Sequence, residues 1–302
     1  MTTSGFSGVW TAIATPFLEN GSIDWGSFEK HLAQQASGGV SGIVISGTTG
    51  ESPTLTVQEK ISLVRKARAS LPASIRIMAG SGGNNTAQSV ELSKLCVDAG
   101  ADSLLIVTPP YNKPSLAGLK LHFQAIAESV SVPLCLYHVP GRTGQSLTAA
   151  AIANLTNLKS IQAVKEASGD IALYGRVVCQ SKADILSGDD PTYLASLSVG
   201  GRGVISVVSN IFPAAMVELT NAFKNCQNDR ALAIHKALLP AMDVLFCESN
   251  PGPLKAALKI FSLGQNILRA PLAPVSDENF GLIRMTLEKA KQDLATLDVR
   301  GR

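Results

Sequence analysis

The feature that most constrains this chain is a repeating alternation. A short apolar run, often β-branched, is followed by a stretch with apolar residues at three- and four-residue steps. Eight such pairs follow one another, with strand-like runs at Val9–Phe17, Gly42–Ser46, Arg76–Ser81, Ser103–Pro109, Val132–Pro140, Ser160–Ser168, Ala183–Gly188 and Gly203–Ser209. The helical period is clearest in Asp24–Ser37, Thr56–Leu71, Thr86–Ala99 and Leu116–Ser129. Strands joined by crossover helices pair in parallel, and this number of βα units is the one that closes a sheet on itself. The pattern therefore predicts an α/β fold, a (β/α)8 TIM barrel. An open, doubly wound sheet competes less well, because nearly every strand is followed by one helix of similar length and the first turn has no dinucleotide fingerprint.

A chain of 302 residues without a Pro/Gly/Ser-rich linker suits one dominant domain with appendages. Beyond the eighth strand lie helical segments at roughly Pro213–Cys226, Asp229–Cys247, Pro253–Leu263 and Asp277–Leu294, more than one barrel helix requires. The expected division is a catalytic barrel over 1–226 and a small C-terminal helical domain over 227–302. The net charge of +3 comes from 26 basic and 23 acidic residues interleaved along the chain, so neither nucleic acid nor a membrane is an expected partner. Cys96, Cys135, Cys179, Cys226 and Cys247 are odd in number and widely spaced, as reduced thiols in a cytosolic protein are. Met1–Ser7 has no basic start or apolar run, and no apolar stretch reaches the roughly 18 residues that span a bilayer. A cytoplasmic location is expected.

In a β/α barrel the reactive groups lie at the C-terminal ends of the strands. The second strand ends in Gly47-Thr48-Thr49-Gly50-Glu51-Ser52, whose amides and hydroxyls suit a small carboxylate, although such a turn serves equally as a plain connection. Tyr111 and Tyr137, two of only four tyrosines, fall at the ends of the fourth and fifth strands. Each alone reads as a core aromatic. Arg142 follows a Pro-Gly turn beyond the fifth strand; its planar fork suits a carboxylate, and a solvated loop arginine is the plainer reading.

Lys165 is the most informative residue. Period-two alternation in Ile161-Gln162-Ala163-Val164-Lys165-Glu166-Ala167 places it on the face of Ile161, Ala163 and Ala167, toward the barrel interior. Desolvation there favours a neutral amine, which attacks a ketone to form a Schiff base. The competing reading is an outward lysine or a Lys165–Glu166 pair, but adjacent strand residues point to opposite faces. The glycines at 188 and 200–203 lack phosphate-loop spacing, and Gly80–Asn85 reads as a tight turn. His31, His122, His138 and His235 form no metal-binding spacing, so metal hydrolysis has no support and no metal is expected.

Taken in order, Gly47-Thr48-Thr49-Gly50-Glu51, Tyr111 in Pro-Tyr-Asn, Tyr137 before Val139-Pro140-Gly141-Arg142, and Lys165 resemble the dihydrodipicolinate synthase/N-acetylneuraminate lyase family of pyruvate-dependent class I aldolases. The resemblance covers nearly the whole chain from Gly8 onward. The double threonine and Val-Pro-Gly-Arg are similar to the branch that condenses pyruvate with L-aspartate 4-semialdehyde in lysine and diaminopimelate synthesis. The resemblance implies that Lys165 forms the imine, that Thr48 and Thr49 hold the pyruvate carboxylate, and that Gly188 and Ile205 line the pocket. It implies a proton relay of Tyr137, Thr48 and Tyr111, with Tyr111 supplied across a subunit interface of a homotetramer built as a dimer of dimers. Arg142 would bind the semialdehyde carboxylate.

The chain departs from the family at two places. His138 stands where Asn is usual, and an effect around the site without loss of activity is expected. In lysine-inhibited members a cleft at the dimer interface offers histidines, a glutamate and a tyrosine; this chain keeps Ser52 and Asn84 but has Val57, Lys60, Gln88 and Pro110. Removing a carboxylate and adding a cation weakens binding of a dication, so weak or absent lysine feedback is expected. A sibling aldolase acting on a sugar acid such as N-acetylneuraminate or 2-keto-3-deoxygluconate is the second reading, which the carboxylate-seeking Arg142 disfavours. A catalytically silent keto-acid sensor is the third, against which the joint presence of lysine, tyrosines and threonine stands.

Overall fold

Alternating side chains sort the sheet into an inner and an outer layer. The strands are β1 (Gly8–Ala12), β2 (Gly42–Ile45), β3 (Arg76–Gly80), β4 (Ser103–Val107), β5 (Leu134–His138), β6 (Ile161–Glu166), β7 (Asp184–Ser187) and β8 (Gly203–Ser206). In the computed structural model, which describes residues 5–299, they pair in parallel in chain order and close where β1 meets β8, Gly8 opposite Gly203 and Trp10 opposite Ile205. The reading of Met1–Ser7 and the end of the 227–302 segment fall partly outside the described residues.

Trp10, Ala12, Val44, Met78, Leu105, Cys135, Ala163, Leu186 and Ile205 fill the barrel interior. Their neighbours Val9, Ile43, Ile45, Ile77, Leu104, Ile106, Leu134, Leu136, Val164, Ile185 and Val204 join the larger core beneath the helices. Two-sided burial explains why these strands read as continuous apolar runs. Ile161 corrects the sequence reading: it packs in the outer layer, not on the face of Lys165. The β5–β6 register runs Leu134↔Ile161 and then Cys135↔Ala163, so Gln162 is an extra residue that reverses the alternation below it. Strand β1 also ends earlier than Val9–Phe17 suggests; Ile13–Phe17 continues as a buried connection, with Phe17 bridged to Ile23.

Helices α1 (Trp25–Ser37), α2 (Val57–Ser70), α3 (Thr86–Asp98) and α4 (Leu116–Ser129) follow the first four strands. Each starts at a side chain that accepts an otherwise unpaired amide: Asp24 from Ser27, Thr56 from Glu59, Asn85 from Gln88 and Ser115 from Gly118. At α2 the Glu59 carboxylate returns a bond to the Thr56 amide, completing a capping box. After β5 come a short turn of helix, α5 (Pro140–Thr143), and α6 (Ala149–Leu155). Helices α7 (Ile171–Gln180), α8 (Tyr193–Ser198) and α9 (Pro213–Lys224) complete the outer ring, and α10 (Asn228–Val244), α11 (Gly252–Ile260) and α12 (Asp277–Thr296) follow. Helix α10 packs on α9 and α12, and α11 on α12. Among the described residues no helix is long and apolar enough to cross a membrane.

Candidate active site

Lys165 projects from β6 into the barrel interior beside Tyr137 of β5, its direct partner in the strand register. It is 7% exposed, and its Nζ lies 4.2 Å from the centroid of the Tyr137 ring. Gly188, at the end of β7, allows this placement. A Cβ there would sit 2.9 Å from Lys165 Cε and 2.5 Å from Ala167 Cβ, so any side chain would displace the lysine stem.

A second buried lysine supplies the contrast. Lys255 on α11 is fully buried, and its Nζ donates to Thr15 O at 2.6 Å and Ile267 O at 2.9 Å and pairs with Glu51 Oε1 at 2.8 Å. Two carbonyls accept from the ammonium and the Glu51 carboxylate pairs with it, and the Phe17 ring lies beneath, its centroid 4.3 Å away. Burial still pushes the Lys255 ammonium below its ordinary range, with Glu51 opposing the shift. Among the described residues Lys165 Nζ has neither a hydrogen bond nor an ion pair. Lys255 is thus occupied in holding structure, whereas the Lys165 nitrogen is uncommitted.

The turn after β2 is held from several sides. Gly50 and Ser52 donate to Gly47 O, Glu51 donates to Thr48 O, and Thr15 Oγ1 donates to Gly50 O. Glu51 adopts a left-handed conformation, φ 56°, which aims its buried carboxylate at Lys255 and at the Arg269 amide, 3.1 Å away. Thr49 is buried and accepts from Asn250 Nδ2 at 3.0 Å. Arg142 on α5 reaches the same residue, its Nη2 donating to Asn250 O at 3.3 Å. Asn250 therefore ties the threonine turn to the arginine.

Thr48, Tyr137 and Arg142 line one cavity of about 600 Å³, together with Ser46, Gly80, Gly82 and Val139. Its wall continues to Ser52, Lys60, Asn84, Gln88 and Pro110, and an adjoining cavity adds Val57. Burial pushes the Lys60 ammonium below its ordinary range. Lys165 does not line this cavity itself but lies against the ring of Tyr137, which does; Gly188 packs on the Lys165 stem, Thr49 reaches the wall through Asn250 and Arg142, and Ile205 is 1% exposed, packed inside the barrel and not on the cavity wall. Tyr111 stands apart: it is 90% exposed at φ 70°, which excludes a core-aromatic role within the chain. The sequence reading missed Asn250, Lys255 and Arg269. The apolar run Pro253-Leu254-Lys255-Ala256-Ala257-Leu258 carries the signal for Lys255, a lysine inside a buried helical face. Among the described residues no group of three or more His, Cys, Asp or Glu is arranged to hold a metal.

Residues 5–290 match the Dihydrodipicolinate synthetase family. The chain is 42% identical over 287 residues to the 4-hydroxy-tetrahydrodipicolinate synthase of Bdellovibrio bacteriovorus, covering 94% of this chain and 98% of that one. The chain belongs to the dihydrodipicolinate synthetase family. It is accordingly an enzyme, a pyruvate-dependent lyase. Among solved members of the family, the 4-hydroxy-tetrahydrodipicolinate synthase of Methylacidiphilum fumariolicum SolV superposes with a TM-score of 0.94 at 40% identity, covering 97% of this chain and 98% of that one. The enzyme of Cyanidioschyzon merolae with lysine bound superposes with a TM-score of 0.92 at 34% identity, covering 95% and 99%. The expected closed barrel with C-terminal helices is therefore the family's architecture as well as this chain's.

Proposed function

We propose that this chain catalyses the 4-hydroxy-tetrahydrodipicolinate synthase reaction, condensing pyruvate with L-aspartate 4-semialdehyde for lysine and diaminopimelate synthesis. The observation that carries the reading is the uncommitted, buried Lys165 nitrogen against the Tyr137 ring. That amine attacks the keto carbon of pyruvate, and loss of water leaves an imine on Lys165. Loss of a methyl proton converts the imine to an enamine, whose carbon attacks the aldehyde. Each step moves a proton, which the hydroxyls of Tyr137, Thr48 and Tyr111 relay. The turn at Thr48 and Thr49 receives the pyruvate carboxylate, with Gly188 beside the bound adduct and Ile205 in the barrel interior that supports the site. Arg142 receives the carboxylate of the semialdehyde.

The exposed Tyr111 favours a site completed by a second subunit, in a homotetramer built as a dimer of dimers. The reaction needs neither a metal nor an organic cofactor, and the enzyme works in the cytoplasm without nucleic acid or membrane partners. The barrel unit is 1–226 and the helical unit 227–302, joined where α9 gives way to α10. Lysine inhibits weakly or not at all, because the cleft with Ser52 and Asn84 carries the Lys60 cation beside Gln88, Val57 and Pro110. The deciding experiment is incubation with pyruvate and borohydride followed by peptide mapping. A reduced adduct on Lys165 is expected; an unlabelled Lys165 refutes the mechanism. A coupled assay comparing aldehydes distinguishes the semialdehyde from sugar-derived substrates, and initial rates with millimolar lysine test feedback.

A further inference from the structure

His138 sits at the last position of β5, fully buried. Its two ring nitrogens serve different segments. Nε2 lies 3.0 Å from the backbone nitrogen of Leu147, and since an amide only donates, Nε2 accepts. The ring proton is therefore on Nδ1, which donates to Glu166 Oε1 at 3.0 Å. Glu166 is itself buried, and the same oxygen accepts the Ser168 amide at 3.0 Å. His138 thereby joins three pieces of chain.

Each piece carries one member of the site. His138 follows Tyr137, Glu166 follows Lys165, and the register sets Tyr137 against Lys165 and His138 against Glu166. Leu147 closes the segment that begins with α5 and bears Arg142. We propose that His138 is a positioning residue: its Nδ1–H bond to Glu166 sets Tyr137 against Lys165, and its Nε2 bond from Leu147 fixes the segment that presents Arg142. The inference rests on the Schiff-base reading above and assigns His138 no contact with substrate.

The two bonds can be removed separately. An asparagine amide reaches the place of Nδ1 and not of Nε2, so His138→Asn keeps the Glu166 bond and releases Leu147. A glutamine amide reaches the place of Nε2, so His138→Gln keeps Leu147 and leaves Glu166 without its ring donor. The enzyme is assayed for the rate of borohydride-trapped pyruvate adduct on Lys165 and for KM of the semialdehyde. His138→Asn is expected to trap pyruvate at a near-parental rate while KM for the semialdehyde rises about tenfold. His138→Gln is expected to show the reverse, trapping slowed about tenfold with KM little changed. Equal losses in both readouts for both variants, or no loss in either, overturn the proposal. An unlabelled Lys165 in the parent enzyme overturns the underlying reading and the proposal with it; a labelled parent with unsplit variants overturns the proposal alone.

Discussion

Lys255→Met isolates the buried pair that holds the threonine turn. The substitution keeps the volume of the side chain but removes bonds to Thr15 O and Ile267 O and the ion pair with Glu51. Glu51 is 1% exposed, so its carboxylate would be left buried with only the Arg269 amide as a partner. Breaking a buried pair by deleting one partner costs about 3–5 kcal/mol. For a chain of this size each kcal/mol moves the thermal midpoint by about 2–4 °C, so Tm should fall by roughly 6–20 °C. Thermal unfolding of Lys255→Met, Glu51→Gln and the double variant measures it. The double variant should recover part of the loss, because the stranded charge is gone. A single variant that melts within about 2 °C of the parent, or a double variant no more stable than Lys255→Met, refutes the assignment. Relaxation of the turn should also raise KM for pyruvate more than it lowers kcat.

Gly188→Ala should lower kcat and cost about 1–3 kcal/mol of stability, since the new Cβ meets both Ala167 and the stem of Lys165; kinetics with thermal unfolding checks this. Arg142→Ala should reduce kcat/KM for the semialdehyde about 10- to 100-fold and leave pyruvate trapping on Lys165 nearly intact; equal losses would count against its role. His31 is buried, and burial holds its pKa at about 4 against an ordinary 6.5, with its bond to Asn210 opposing the shift. Between those values the unfolded chain binds a proton that the folded chain refuses, so stability falls by about 3 kcal/mol as pH drops from 6.5 toward 4. His31→Gln should flatten that part of the pH–stability curve.

The barrel was legible because its signals are local: apolar runs buried on both faces, helix periods between them, and caps such as Asp24 and Thr56 at the predicted starts. Lys165 was legible for the same reason, an ammonium in a strand whose neighbours are apolar. The alternation carried the right face to Lys165 and failed at Ile161, because an inserted Gln162 reverses parity and no residue type announces it. The ties that finish the site were not legible. Asn250 with Thr49, Lys255 with Glu51 and Leu147 with His138 are meetings in space, and nothing in the linear pattern distinguishes Asn250 from any other loop asparagine. Tyr111 became informative only through its exposure, which an aromatic at a strand end does not reveal.

The tie between the threonine turn and the C-terminal helices also bears on how the enzyme is made. Thr49 waits for a partner 201 residues downstream, and Glu51 for one 218 residues away. Because synthesis runs from the N-terminus, the turn after β2 leaves the ribosome long before the residues that fasten it. The first half of the chain therefore holds the threonine turn in an unfinished form, with Glu51 still able to face water. Only when α11 has been translated and docked does that carboxylate become buried against its lysine. The threonine turn is thus completed only near the end of the chain's own biogenesis.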